Sequence, residues 1–186
     1  MSATRLLVLG VIRIMGPVNG YRVRRELVSW RLEETTNVKP GSIYSAIRTL
    51  EKDGLIAGDP DHVITGEGEK EFQLQLRKAW WTVQSPAEPL IPALTMMPFM
   101  ARDELVEALS AREAHLNNEI RELGFQRRAI KDGATGADGE IPEHVREIVD
   151  FLDSRRRSEL EWTIRFRKRV KAGSYRFEAE LDVSQD

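Results

Sequence analysis

Leu109, Leu116, Leu123 and Ile130 recur at intervals of seven, with Val106 and Ile120 filling the alternate position. An apolar repeat of this kind, held over about four turns of repeat, is buried by laying helix on helix, so 102–131 reads as one long helix that needs a helical partner. A second stretch, 142–171, follows a similar 4-3 rhythm through Val145, Val149, Leu152, Thr163, Phe166 and Val170, with Arg156 and Glu159 interrupting it midway. Between the two lies 132–140 (DGATGADGE), whose small and polar residues predict a flexible, poorly ordered loop. The C-terminal half is therefore mainly α.

The N-terminal half carries shorter helical pieces. Leu7, Val8, Val11, Ile12 and Met15 form an i, i+3, i+4 stripe over 3–15, and the run Gly16-Pro17-Val18-Asn19-Gly20 stops it. A second helix is expected over 21–34 with Val23, Leu27 and Trp30 inward, followed by a polar turn at 35–39. Pro40 and Gly41 mark the next start, and Ser42 reads as the N-cap of a third helix whose inner face is Ile43, Ala46, Ile47 and Leu50. Asp53-Gly54 ends it. Leu55-Ile56-Ala57 and His62-Val63-Ile64 then read as a small hairpin around Gly58-Asp59-Pro60-Asp61, before a fourth helix over 67–83. Three helices, a hairpin and a helix, with a tight turn between the second and third helices, is the order of a winged helix-turn-helix. Residues 84–98 hold four of the eight prolines and read as a connector with one short helical piece.

Composition removes several function classes. The 186-residue chain has no cysteine, which excludes disulfides, cysteine-ligated zinc or iron–sulfur centres and thiol catalysis. The apolar run at 6–15 is short, is broken by Arg13 and lacks a cleavage pattern, and no window approaches the roughly 18 unbroken apolar residues of a membrane span. A cytoplasmic chain without a membrane partner is expected. No phosphate loop, nucleophile elbow, zinc motif or GxGxxG is present, so neither catalysis nor a cofactor is expected. His62, His115 and His144 are scattered; His115 and Glu119 stand at i, i+4, a spacing that a metal could use but that a surface helix explains better. The balance of 28 basic and 30 acidic side chains gives a net charge of −2, so a nucleic-acid surface must come from local clustering. Residues 1–60 hold nine Lys and Arg against six Asp and Glu, a modest local excess.

The third helix carries the most chemistry. With Ile43, Ala46, Ile47 and Leu50 inward, its outer face shows Ser42, Tyr44, Ser45, Arg48, Thr49 and Lys52. Hydroxyls and a phenol suit phosphate oxygens, and Arg suits the paired acceptors of guanine. The same pattern also describes an ordinary solvated face, and the pattern alone leaves both readings open.

Three motifs resemble the signature of the PadR family of transcriptional regulators: Gly20-Tyr21-Arg22-Val23, then Gly41-Ser42-Ile43-Tyr44-Ser45-Ala46-Ile47, then Leu50-Glu51-Lys52-Asp53-Gly54-Leu55-Ile56. Ile64-Thr65-Gly66-Glu67-Gly68 is similar to that family's passage from the wing into the next helix, and the likeness covers roughly residues 5 to 80. Arg112 amid Leu109 and Leu116, with Glu161-Trp162 in the last helix, is similar to members with a long helical dimerisation domain. The resemblance implies a winged helix-turn-helix DNA-binding domain at 1–83, a connector at 84–101, a helical dimerisation domain at 102–173 and a tail at 174–186. It implies a homodimeric repressor on a pseudo-palindromic DNA operator, released in some members by a small effector. Carried over by position, Ser42, Tyr44, Ser45, Arg48 and Thr49 would face the DNA, with Lys39 and Lys52 near phosphates. Leu109, Leu116, Leu123, Ile130, Leu152, Trp162 and Phe166 would serve dimerisation.

Two departures stand out. Ser45 occupies a position where the family usually has proline. The wing offers only Asp59, Asp61 and His62 in place of the usual cations, and carboxylates are repelled by the negative potential of a minor groove, so the wing is expected to contribute little. Trp80, Trp81 and Trp162 are candidates for a small aromatic or drug-like effector, although packing of a helical seam accounts for them more simply. Met96, Met97, Phe99 and Met100 read as core or interface. The basic runs Arg155-Arg156-Arg157 and Arg165 to Arg169 have acidic neighbours and read as salt-bridged faces rather than a second DNA surface. The competing functional reading is a winged-helix protein-interaction module without DNA binding, which the acidic wing favours.

Overall fold

The structure, a computed structural model, describes residues 2–30, 38–82, 90–132 and 144–177, together with the backbone at 135–136 and 139–140. The chain divides into two units, Met1–Pro86 and Ala87–Asp186, with the division inside the proline-rich connector.

Apolar faces from every described helix of the first unit converge on one core. Helix α1 (Ala3–Met15) buries Val8, Leu9, Val11 and Ile12. It packs on α2 (Gly20–Ser29), α3 (Pro40–Lys52) and α4 (Gly66–Trp81). Val23 and Leu27 of α2 and Ile43, Ala46, Ile47 and Leu50 of α3 complete the core with Val18, Val38 and Ile56. Leu9 lies outside the apolar stripe read from the sequence, and its burial shows that α1 is enclosed on more than one side. Trp30, expected inward, is 38% exposed and donates its indole N–H to Glu26 Oε1 at 2.9 Å. It sits at the C-cap of α2, one residue beyond the last helical turn. The expected extension of α2 to residue 34 lies outside the described residues.

Three short strands form the wing, β1 (Val18–Asn19), β2 (Ile56–Ala57) and β3 (Asp61–Ile64), in the order β1-β3-β2. Both pairings are antiparallel, Val18 opposite His62 and Ile56 opposite Ile64. Strand β1 is absent from the sequence reading, because two residues are too few to show a period; only its pairing with β3 makes it a strand. The passage into α4 is tightly built. Thr65 caps the helix by accepting from Gly68 N–H at 3.0 Å and donates to the Gly54 carbonyl at 2.8 Å. Gly68 must be glycine: a Cβ there would stand 1.9 Å from the Leu55 carbonyl oxygen.

The second unit is a helical hairpin. Helix α5 (Leu90–Thr95) and a 3-10 turn at Met97–Phe99 precede α6 (Arg102–Lys131) and α7 (Val145–Lys171). Ion pairs joining residue 112 to 159, 119 to 156 and 127 to 150 fix α6 and α7 as antiparallel neighbours. Of the heptad seam of α6, Leu109 and Leu116 are buried in this hairpin, while Leu123 and Ile130 stay half-buried. Between them β4 (Thr135–Gly136) and β5 (Gly139–Glu140) pair antiparallel, where the sequence reading expects an irregular loop.

At one end the hairpin is apolar, with Leu109, Phe166, Val170 and Phe177 buried together and Leu94, Met97, Leu105, Val106, Trp162 and Tyr175 against them. Midway it is charged. Arg112 pairs with Glu159, Arg156 with Glu119 at 2.7 Å, and Arg167 with Glu113 at 2.6 Å. Arg156 and Glu159 are the positions where the 4-3 rhythm of 142–171 breaks. The segment after Gly173, unassigned from sequence, docks back: the Arg102 guanidinium donates to the Val170 and Tyr175 carbonyls at 2.7 and 2.9 Å and covers the Phe177 ring. Among the described residues no helix is long and apolar enough to cross a membrane.

Candidate nucleic-acid interface

Pro40 at the first position of α3, preceded by Lys39 in extended conformation, starts the helix three residues earlier than a Ser42 cap would. Ser42 is consequently inside the first turn, and its hydroxyl donates back to the Lys39 carbonyl at 2.7 Å. With α3 anchored through Ile43, Ala46, Ile47 and Leu50, each at most 7% exposed, the 3.6-residue period turns the other side outward. Lys39, Tyr44, Ser45, Arg48, Thr49 and Lys52 are exposed and Ser42 is half-buried. All seven positions singled out from sequence therefore lie on or beside one outward face.

They are not equivalent. The hydroxyl protons of Ser42 and Thr49 are already committed to the helix, Thr49 donating to the Ser45 carbonyl at 2.8 Å. Each keeps lone pairs but must break an internal bond to donate to a phosphate. Tyr44, Ser45, Lys39, Arg48 and Lys52 have no hydrogen-bonding or ion-pairing side-chain partner among the described residues, so their donors are available. A solvated cation keeps its water until an anion displaces it, and duplex phosphates are dense enough to do so.

Neighbouring charges sharpen the contrast. Asp53, at the end of α3, is held by Arg5 at 2.8 Å, and Glu69 is held by Arg13 at 2.7 Å. The Arg13 and Gln73 hydrogen bonds keep the Glu69 carboxyl below the usual carboxylate range. Two further exposed cations, Arg22 and Arg25 on α2, also lack a partner among the described residues. They are absent from the sequence reading, although their spacing around the inward Val23 and Leu27 is a signal that could have found them.

The wing is as acidic as expected, with Asp59 and Asp61 exposed at its tip. His62 does not belong to that surface. Its side chain is buried, with Nδ1 donating to the Gly58 carbonyl at 2.9 Å and lying 3.3 Å from Glu51 Oε1.

Of the residues expected to serve dimerisation, Leu109, Leu116 and Phe166 are buried within the described chain, while Leu123, Ile130, Leu152 and Trp162 are half-buried. Trp162 stacks on Phe166, with ring centroids 5.1 Å apart. Trp80 and Trp81 are 83% and 86% exposed. The basic runs of α7 are largely paired: besides Arg156 and Arg167, Arg157 meets Asp153 at 2.8 Å and Arg165 meets Glu161 at 2.9 Å. His115 lies 3.4 Å from Glu119, which also holds Arg156.

Among solved structures, PadR of Bacillus subtilis superposes with a TM-score of 0.66 at 15% sequence identity, over 92% of this chain and 98% of that one. The PadR-like transcriptional regulator BC1756 of Bacillus cereus gives 0.63 at 16% identity, over 91% and 99%. The protein smu.1604c of Streptococcus mutans UA159 gives 0.57 at 20% identity, over 89% and 98%. No protein-family profile matches the sequence, and no curated protein matches it. The chain has the fold of PadR-like regulators, wing and helical C-terminal region included.

Proposed function

We propose that the chain is a DNA-binding transcriptional regulator acting as a homodimer, with α3 as the helix that enters the major groove. The carrying observation is the outward face of α3, where Tyr44, Ser45, Arg48 and Lys52 are exposed and without side-chain partners among the described residues, while the opposite face is fully spent on the core. On this reading Arg48 reads a base edge, Tyr44 and Ser45 contact bases or backbone, and Lys39 and Lys52 meet phosphates. The likeness in fold to two regulators supports it. Two copies would address half-sites one helical turn apart, roughly 34 Å, and repress from a pseudo-palindromic operator.

The second unit leaves apolar surface that a second copy could cover: Phe125, Ile148 and Phe151 are 61%, 40% and 60% exposed. An effector of small aromatic type would find Trp80 and Trp81 open, whereas Trp162 is engaged with Phe166. A regulator of this build has no need of catalysis. The exposed tryptophans and the acidic wing also favour a second reading, an interaction module without DNA binding.

Selection of binding sites from random duplex DNA, followed by anisotropy titration of the recovered site at rising salt, separates the two. Recovery of an inverted repeat is expected, with Arg48→Ala weakening binding by about 1–3 kcal/mol. Weak retention of every sequence alike, unaffected by Arg48→Ala, would favour the interaction module.

A further inference from the structure

Gly20 is the first residue of α2, and the space its side chain would take belongs to α3. A Cβ built on Gly20 would stand 3.3 Å from Tyr44 Cε1, 3.6 Å from Tyr44 Cδ1 and 3.3 Å from Ile47 Cδ1, closer than ordinary packing at two of the three. The Tyr44 ring thus rests against bare backbone at the start of α2. Its outer side is open, the residue being 42% exposed, and its phenol has no hydrogen-bond partner among the described residues. Nothing described at the hydroxyl end holds the ring; the surface beneath it does.

Gly20 is itself firmly placed. Asn19 Oδ1 accepts from Arg22 N–H at 3.0 Å, which closes the first turn of α2. Val18 and Asn19 pair with His62 and Asp61 of β3. The wing sheet therefore sets where α2 begins, and the start of α2 sets how far the Tyr44 ring can sink toward the protein.

We propose that Gly20 is a positioning residue for recognition: by lacking a side chain it fixes where the Tyr44 phenol stands on the DNA-facing surface, without touching the duplex itself. The inference rests on the reading of α3 as the DNA-facing helix. A methyl group at Gly20 must displace one of its two neighbours. Ile47 is pinned in the core, 5% exposed, although its terminal methyl can turn; Tyr44 is free on its outer side and is the easier to push. A phenol moved outward by a few tenths of an ångström no longer meets its partner at hydrogen-bonding distance and angle.

The test is a double-mutant cycle in the full chain on the selected DNA site. Gly20→Ala should weaken binding roughly three- to tenfold, the worth of one hydrogen bond, yet by less than about twofold in a Tyr44→Ala background. The thermal midpoint should hold or rise, since alanine suits a helix better than glycine. The NOE cross-peaks between residue 20 and the Tyr44 ring should shift in the single variant, a readout that needs no DNA. Equal weakening in both backgrounds, wild-type affinity in Gly20→Ala, or an unmoved Tyr44 ring would each overturn the proposal. If the wild type selects no site, the DNA reading fails and takes the recognition role with it, while the ring data still report on the packing. Should Gly20→Ala fold poorly, Gly20→Ala with Ile47→Val removes the competing methyl and carries the same cycle.

Discussion

The two units of the chain spend their charges in opposite ways. Among the described residues, thirteen buried apolar side chains form the first unit's core, against four in the main cluster of the second. The second unit supplements its smaller apolar seam with ion pairs between α6 and α7, so that Arg112, Arg127, Arg156 and Arg167 all have carboxylates. The first unit has fewer such pairs among the described residues, Arg5 with Asp53 and Arg13 with Glu69, and it leaves Lys39, Arg48 and Lys52 without partners there on one side of α3. A net charge of −2 hides this difference. The denser basic runs lie in α7, but Arg156, Arg157, Arg165 and Arg167 there already have carboxylates, whereas the sparser cations of α3 have none among the described residues. Basic composition marks a nucleic-acid surface only after internal pairing is subtracted.

The largest effect this contrast predicts is on stability. Leu50→Ala removes a fully buried side chain from the core of the first unit and should cost about 2–5 kcal/mol in a denaturant titration. Glu159→Gln, which deprives Arg112 of its anion, should cost about 1 kcal/mol or less, because the two side chains are 33% and 28% exposed and water replaces much of the attraction. Reversal of that order would mean that the ion pairs, not apolar burial, hold the chain together.

Much of this is legible in the sequence where a period is long enough to count. Ile43, Ala46, Ile47 and Leu50 are expected inward and are buried, and α6 runs over the 102–131 stretch that its heptads mark. What periodicity cannot say is whose helix fills a seam. Leu109 and Phe166 are expected at an interface between copies, and both are buried within the one chain, where α6 and α7 pack antiparallel on each other. The features that escape a sequence reading are set by neighbours distant along the chain. His62 is buried because β3 pairs with β1 and Gly58 bends back to accept its N–H. Phe177 is buried because Leu109, far earlier in the chain, clusters with it and Phe166, and Arg102 covers its ring. At the site, the face is readable but its internal bonding is not: only the folded helix distinguishes Ser42 and Thr49, whose protons are spent, from Ser45.

The pairing contrast also predicts different salt responses. Removing one cation that meets a phosphate should lower the slope of log affinity against log salt by about one. Lys52→Ala should therefore weaken binding at low salt, less so at high salt, and flatten the slope by about that amount. Arg165→Ala removes a cation already matched by Glu161 and should leave both affinity and slope unchanged. If Arg165→Ala flattens the slope as Lys52→Ala does, α7 also meets the duplex and the pairing seen in the hairpin opens on binding.

The smallest effect concerns acid. Arg157 hydrogen-bonds the buried Asp153, Arg127 adds a second bond at 3.1 Å, and together they hold its carboxyl below the usual carboxylate range against the cost of burial. Asp150 shares Arg127 at 2.6 Å, so protonating Asp153 loosens a guanidinium that a second carboxylate also uses. A carboxyl more acidic in the folded chain than in the unfolded one binds fewer protons when folded. Its stabilisation is complete above the unfolded value, about 4, then fades as pH falls through the lower folded value. Thermal unfolding of the wild type should thus drop more steeply below about pH 4 than that of Asp153→Asn, whose neutral amide has no proton to gain. The first unit has Glu69 as its counterpart, lowered by Arg13 and Gln73 but at the surface, where solvent screens it. Glu69→Gln should therefore change the acid slope less than Asp153→Asn does. A larger change from Glu69→Gln would locate the chain's acid sensitivity in the first unit and undo the assignment of its charge-dependent stability to the hairpin.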